Sequence, residues 1–438
     1  MRAPISIREP NPTLSFRLSK PRLIRGPREW GYFLTAALLL FLFSIGWRYA
    51  VYRDFVSHKT SHAEATILLH YTKTKGSRRY DVLKMQEGLH TFYTVAWKPL
   101  SENLQGRRVK LLLFPGHVGF LDFLSTPFIP SKMVGSLPGK DLRFRLYDRI
   151  AAQHQNPLMQ ELYGALFLAL PVSKTLRDAV GRLGVNHLLA LSGFHMGLLW
   201  AILYWGLGKL YAPLQRRFFP WRHRLLDVGA VTLLLLGAYL MVTGLPPSLL
   251  RAYAMVAVGW LALLFGIELL SFSFLAFCVT LLVALFPGLL LSVGFWLSVV
   301  GVYAIYLFLH YFGSWPKWAL VAGINLWVWL FMLPIVHLLF PLFSPAQLLS
   351  PILTALFVLY YPLEMGLHLM GLGGLGDGVI LSLLRWSQAL PTASVSLPWW
   401  AGALYAALSL LAVRVVAAIY LPMLFAGLFL LYLVEQVA

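Results

Sequence analysis

From about residue 157 to its end the chain is a succession of apolar segments, a pattern that only a bilayer can accommodate in full. Segments near 185–206, 226–244, 249–267, 270–286, 289–312, 317–341 and 347–370, with a final stretch at 399–437, each read as membrane-spanning helix. The last is too long for one perpendicular span, and Arg414 and Pro422 are the points that would divide it. Residues 157–172 are apolar but short, which suits a re-entrant or interfacial piece. With a first helix at 30–47, the expected fold class is a polytopic α-helical membrane protein of about nine to eleven spans. Only 12% of the 438 residues are charged and 59% are hydrophobic, where a soluble domain carries about a quarter charged residues. An ordinary soluble enzyme is therefore excluded.

Polar sequence is concentrated before the apolar series. Residues 1–29 read as a basic cytoplasmic tail, and 30–47 as an uncleaved first transmembrane helix. A removed signal peptide is the rival reading, disfavoured by the long region ahead of the apolar run. Residues 48–156 hold 17 Lys/Arg against eight Asp/Glu. Candidate strands at 63–72, 79–86, 90–97 and 107–114 are separated by turn signals at Lys75-Gly76-Ser77, Gln86-Glu87-Gly88 and Gln105-Gly106. They predict a small antiparallel barrel or sandwich over 48–130. Residues 131–156 then read as an amphipathic linker, with Leu142, Leu146 and Ile150 spaced four apart among Arg143, Arg145 and Arg149. Lys209, Arg216, Arg217, Arg222 and Arg224 cluster in a short loop, which places that loop and the N-terminal tail inside and the 48–156 module outside. Lys and Arg number 36 against 17 acidic residues, a net charge of +19. Such an excess points to acidic lipid head groups, nucleic acid or both. The single cysteine, Cys278, excludes an internal disulfide framework.

Three constellations stand out within the apolar region. Asn186 to Gly197 gathers His187, Ser192 and His195 in a predicted span, where ionisable groups are costly and usually face a cavity, a partner or a pathway. On a continuous helix the three fall on one side, while Gly193 and Gly197 permit close packing or a local break. Histidines bonded to neighbouring carbonyls in a packed helix are the bland alternative. Gly244 to Ala252 contains the rigid pair Pro246-Pro247, Ser248 as a helix cap, and Arg251 in the first helical turn. A cation there opposes the helix dipole unless it meets an anion or snorkels to head groups. In the third, Gly294, Ser298 and Gly301 make a small-residue packing face after Phe286-Pro287. Trp315, Trp318, Trp399 and Trp400 sit at predicted span ends.

No phosphate-binding Gly-rich loop is present, because Gly139-Lys140 is followed by Asp141, so the chain is not its own ATP motor. The twelve histidines form no tight His/Asp cluster along the sequence, and no metal or other cofactor is expected.

GVNHLLALSGFHMG at 184–197 resembles the signature of the ComEC family of competence proteins. PPSLLRA at 246–252 and FPGLLLSVGFWLS at 286–298 are similar to two further elements of that family, in the same order. The likeness covers about 157–375, a competence-type membrane channel domain, leaving 376–438 as C-terminal membrane helices. The 48–130 module resembles the small OB-like domain preceding it in the family. Trp296 stands where the family has Gln, and Ser350 where an Asn is expected. The resemblance implies a multi-pass inner-membrane channel that conducts single-stranded transforming DNA into the bacterial cytoplasm, and no enzyme activity. It makes His187, Ser192, His195 and Arg251 pathway candidates, and Gly193, Gly197, Pro246, Pro247 and Gly294 helix-break candidates. Arg78, Arg79, Lys84, Tyr93, Arg107 and Arg108 become periplasmic DNA contacts, acting by charge and stacking. Implied partners are single-stranded DNA, membrane lipid, a periplasmic DNA receptor and a separate helicase-like ATPase; a homo-oligomer is compatible. The family's larger members carry a C-terminal metallo-β-lactamase-like domain that this sequence lacks. Two rivals remain: a transporter of a small anionic or lipid-linked solute with Arg251 as anion contact, and an intramembrane serine hydrolase using Ser192 with His195 or His187.

Overall fold

The computed structural model describes residues 26–76, 78–88, 90–97, 103–266 and 271–437. The basic tail expected over 1–29 lies, as far as residue 25, outside the described residues. Helix α1 (Pro27–Ser57) opens with Pro27 in its first turn, where a missing N–H costs nothing. Almost none of it is buried against protein, and Leu38, Leu39, Leu42, Phe43 and Trp47 are exposed along it. The helix runs beyond the expected 30–47 to reach the β module, where the Tyr52 hydroxyl donates to the Val118 carbonyl at 2.9 Å.

Five strands follow: β1 (Ser61–Lys75), β2 (Arg78–Glu87), β3 (His90–Ala96), β4 (Arg107–Leu113) and β5 (Ser131–Lys140). They form one antiparallel sheet in the order β3-β2-β1-β4-β5. The sheet curls until its edges meet: Tyr93 of β3 exchanges backbone hydrogen bonds with Pro127 and Ile129 just ahead of β5. Alternate residues fill the interior, among them Ala63, Ala65, Ile67, Leu83, Met85, Phe92, Val109, Leu111 and Leu113. β5 corrects the expected boundary, since it falls in the segment read as linker and carries the sheet to Lys140. A β-bulge between Ile67 and Leu69 turns Leu68 outward, into the core of the helical domain.

Short helix α2 (Phe120–Leu124) lies between β4 and β5, and the amphipathic α3 (Leu142–Ala151) follows the sheet, capped by Asp141. Next come α4 (Pro157–Leu168), α5 (Lys174–Arg182), α6 (Asn186–Leu189), α7 (Gly193–Phe218), α8 (Arg224–Val242), α9 (Pro247–Leu264) and α10 (Phe272–Leu285). The chain continues through α11 (Val293–Phe312), α12 (Lys317–His337), β6 (Leu342–Phe343), α13 (Ser350–Leu369) and α14 (Asp377–Ala389), and ends with β7 (Ala393–Ser394), α15 (Trp399–Leu411) and α16 (Tyr420–Glu435). Strand β6 pairs with β7.

Among the described residues six helices are long and apolar enough to cross a membrane: α1, α8, α11, α12, the 345–369 segment ending in α13, and the 416–435 segment ending in α16. That is fewer than the nine to eleven expected, and three more apolar helices, α9, α10 and α15, are shorter. The predicted 185–206 span is not one helix but α6 and α7, separated at residues 190–192. The final stretch divides at residues 412–415, around Arg414, whereas Pro422 lies inside α16. α4, expected as a re-entrant or interfacial piece, is packed inside the protein. Met159 and every residue from Leu162 to Leu168 are buried, and the largest core cluster forms around them.

Candidate functional site

The first motif folds around its helix break. The Ser192 hydroxyl and the His195 ring close the first turn of α7 reciprocally, each meeting the other's backbone N–H. His195 Nδ1 lies 3.2 Å from Ser192 Oγ and 3.4 Å from Ser192 N. A nitrogen that accepts the Ser192 N–H leaves the ring proton on Nε2. That Nε2 is fully buried and has no hydrogen-bond partner among the described residues. Phe357 and Tyr361 of α13 hold the ring edge-on, at centroid distances of 5.2 and 5.0 Å. His187, on the other side of the break, places Nε2 3.3 Å from Thr354 Oγ1. Thr354, Phe357 and Tyr361 share one face of α13, so both histidines dock on a helix that motif reading alone did not implicate. The continuous-helix geometry expected for His187, Ser192 and His195 is replaced by this bent one.

The break candidates divide. Gly193 is the first residue of α7, and a Cβ there would touch Ala252 of α9 at 4.0 Å, so the two motif helices start side by side. Gly197 sits inside unbroken α7 and Gly294 inside α11, each with open space beside it; neither marks a break. Pro246 caps α9 and Pro247 begins it, which displaces Ser248 from the capping role expected of it. The turn before them needs left-handed backbone at Gly244 (φ 75°) and Leu245 (φ 55°). Trp296 donates from Nε1 to the Leu290 carbonyl at 3.0 Å, and Ser350 donates to the Gly184 carbonyl at 3.0 Å, so both divergent positions serve local structure.

Arg251 faces away from His195, toward α10 and α11. It is 7% exposed, its guanidinium lies 5.5 Å from the Phe295 ring centroid, and among the described residues it has no hydrogen-bond or carboxylate partner. With Met255, Cys278, Val279, Ser298 and Val302 it lines an apolar cavity of about 10 Å³, room for roughly one water. A buried cation without a counter-charge is costly unless something anionic arrives.

The six module residues do not form one patch. Arg78 and Arg79 lie at the β1–β2 hairpin, and Arg107 and Arg108 are exposed at the start of β4, where Arg108 pairs with Glu64 at 3.4 Å. Lys84 and Tyr93 are cross-strand partners, with the ammonium 5.6 Å from the ring centroid. This pair turns toward the helical domain. Burial, then the charges of Arg177 and Arg143, hold the Lys84 ammonium below the ordinary lysine range. Burial and the neighbouring Tyr71 push the Tyr93 phenol up. Arg177 of α5 was not singled out in the sequence, where it is one arginine among many. Its charge acts on both Lys84 and Tyr93.

Together these features define a class: a bundle with membrane-type helices joined to a small curled antiparallel sheet, with a buried arginine that has no hydrogen-bond or carboxylate partner among the described residues. The family model described as Competence protein matches residues 171–435, more than half of the chain, and the chain belongs to that family, consistent with a ComEC-type competence protein. The match runs well past 375, where the resemblance was expected to stop, and takes in α14 to α16. No curated protein and no solved structure matches.

Proposed function

We propose that this protein conducts single-stranded DNA across the bacterial inner membrane during natural competence, with the N-terminus cytoplasmic and the β module periplasmic. The observation that carries the reading is Arg251. A buried guanidinium with no hydrogen-bond or carboxylate partner among the described residues is suited to a phosphodiester, which it can bind bidentately as the strand passes. A 10 Å³ cavity cannot hold a nucleotide, so passage requires α9, α10 and α11 to separate around Arg251. The curled sheet supports an OB-like module: closure of β3 on β5 gives the circular order β1-β2-β3-β5-β4, and β2 and β3, which carry Lys84 and Tyr93, are the strands such barrels use for oligonucleotides. The strand would reach the module from a periplasmic receptor and be drawn inward by a separate ATPase, with lipid and further copies of the chain around the bundle.

Arg251→Gln, compared at equal protein level in the transformable host, should let labelled DNA enter the periplasm while delivery to the cytoplasm falls. Loss of one buried cation–phosphate contact of about 2–5 kcal/mol corresponds to roughly thirtyfold or more. Arg251→Lys should retain part. Normal transformation in Arg251→Gln would remove it from the path. An anionic-solute transporter would also use Arg251, but it predicts unchanged transformation on deletion of the gene.

A further inference from the structure

Three polar side chains from distant parts of the chain meet in the interior, away from the motifs above. His154 lies in the turn after α3, His368 near the end of α13, and Asp377 at the start of α14; the two histidines are 4% and 9% exposed. His154 Nδ1 is 2.9 and 3.0 Å from the two Asp377 oxygens. His368 Nδ1 is 2.7 Å from the Glu364 carbonyl. The two Nε2 atoms are 2.9 Å apart. Tyr163 stacks on His154 with ring planes 10° apart and also packs on His368, while a Cβ at Gly373 would fall 2.5 Å from His368 Nε2. The rings are therefore held in place from several sides.

Proton counting makes this contact informative. A backbone carbonyl only accepts, so His368 donates its Nδ1–H to Glu364. An ionised carboxylate only accepts, so His154 donates its Nδ1–H to Asp377. A neutral imidazole has one N–H. Both Nε2 atoms would then be bare lone pairs facing each other at hydrogen-bond distance, which is repulsive unless a cation lies between them. We propose that His154 and His368 form a cation site that holds one proton shared between their Nε2 atoms. Asp377, whose side chain is 16% exposed, balances the shared proton with its negative charge, so the His154–His368–Asp377 group is neutral overall. Shifting that proton along the relay to Asp377 leaves the count unchanged. The other titratable groups facing the cluster are Glu364, with Oε2 3.7 Å from His368 Nδ1, and the paired hydroxyls of Tyr163 and Tyr360. Among the described residues no lysine or arginine bonds to it.

A transition-metal ion is the competing occupant. Tetrahedral coordination with N–metal distances of about 2.0–2.1 Å would set the two nitrogens roughly 3.3 Å apart, and the described residues supply no third ligand. The proton fits the observed spacing. It also clasps the chain, because Gln153, next to His154, donates to the His368 carbonyl at 3.1 Å and accepts from the Gly373 N–H at 2.8 Å.

The test is thermal unfolding of the full chain in detergent from about pH 6 to about pH 9, with EDTA and with added zinc. Folded protein holds a proton that the unfolded chain has released, so the wild-type Tm should fall as pH rises. In His368→Gln, where a neutral amide supplies the donor, that dependence should flatten. In Asp377→Asn, which lacks the balancing charge, the fall should begin at lower pH. If neither variant folds, nitrogen-15 histidine spectra of the wild type decide: an imidazolium near neutral pH among the buried rings supports the site, and two neutral Nδ1–H rings overturn it. Superimposable pH profiles, or a zinc-dependent rise in Tm reversed by EDTA and absent in His368→Gln, would also overturn it.

Discussion

Arg143 offers the sharpest check on how the β module is fixed to the bundle. Its Nε donates to the Leu168 carbonyl at 2.8 Å, Nη2 to the Ala169 carbonyl at 2.5 Å, and Nη1 to Gln86 Oε1 at 3.3 Å. Gln86 in turn donates to the Gly244 carbonyl at 2.5 Å. The two main-chain oxygens end α4, where a helix has no internal donors left and its dipole favours a cation. Replacing Arg143 with Met keeps most of the stem but strands both oxygens, at about 1–3 kcal/mol each. Removing the cation relieves a cost as well. Burial pushes the Arg143 pKa from 12.5 down to about 10, which at about 1.4 kcal/mol per unit is roughly 3 kcal/mol. Stranding both oxygens costs about 2–6 kcal/mol in all and the relieved burial returns roughly 3, so the net loss for Arg143→Met is at most about 3 kcal/mol. Arg143→Lys should be at least as damaging, because it keeps a buried charge and gives up the fork. Hydrogen exchange read at β2 and at residues 164–170 is the suitable assay, since a chain of this size need not unfold in two states. Exchange there should speed up by at most about 150-fold in Arg143→Met and by no less in Arg143→Lys. Unchanged exchange in both variants, or a Lys variant clearly milder than Met, would refute the argument; the latter would mean that charge rather than geometry matters.

Gly244→Ala should loosen the same joint by roughly 1–2 kcal/mol, because φ is 75° and the new Cβ would lie 2.9 Å from Arg143 Nη1; exchange at the α8–α9 turn measures it. Lys84→Met should stabilise the module at neutral pH while weakening its grip on single strands. The folded state gives up the depressed Lys84 proton before the unfolded chain does, so wild-type stability rises with pH through the alkaline window between the two, a rise that Lys84→Met should lack. Tyr93→Ala on the full chain should cost about 1–3 kcal/mol of single-strand affinity and leave the salt dependence intact, whereas the Lys84 variant should flatten it; equal salt slopes would count against a phosphate contact at Lys84.

Period-two alternation bounded by Gly made β1 to β4 legible to within three residues. β5 was hidden because Gly135, Pro138 and Gly139 interrupt it and most of its side chains are exposed, the composition of an edge strand. The break at 190–192 was signalled only as permission, by Gly193 and Gly197, and only Gly193 lies at it. What decides it is the cap between Ser192 and His195, a three-residue relation that an apolar average over the whole span conceals. α4 is apolar in the way an interfacial helix is apolar, and nothing within its twelve residues tells that neighbours cover it on every side. The reading that no histidine and aspartate cluster holds along the sequence, but the fold joins His154 to His368 and Asp377 across more than 200 positions. Arg251 was visible as an anomaly; that it meets the Phe295 ring and, among the described residues, no carboxylate required the packing of α10 and α11.

The partners of Arg143 are main-chain oxygens, and that has a consequence for how this sequence can drift. Any residue can present a carbonyl, so Leu168 and Ala169 are free to change identity without disturbing the attachment, within the limits their own burial sets. The demand falls instead on the donor Arg143, on Gln86 and on Gly244, whose missing side chain leaves room for both. A variant library scored for attachment of the module should therefore show three intolerant sites scattered over 158 positions, with no compensating pairs among them.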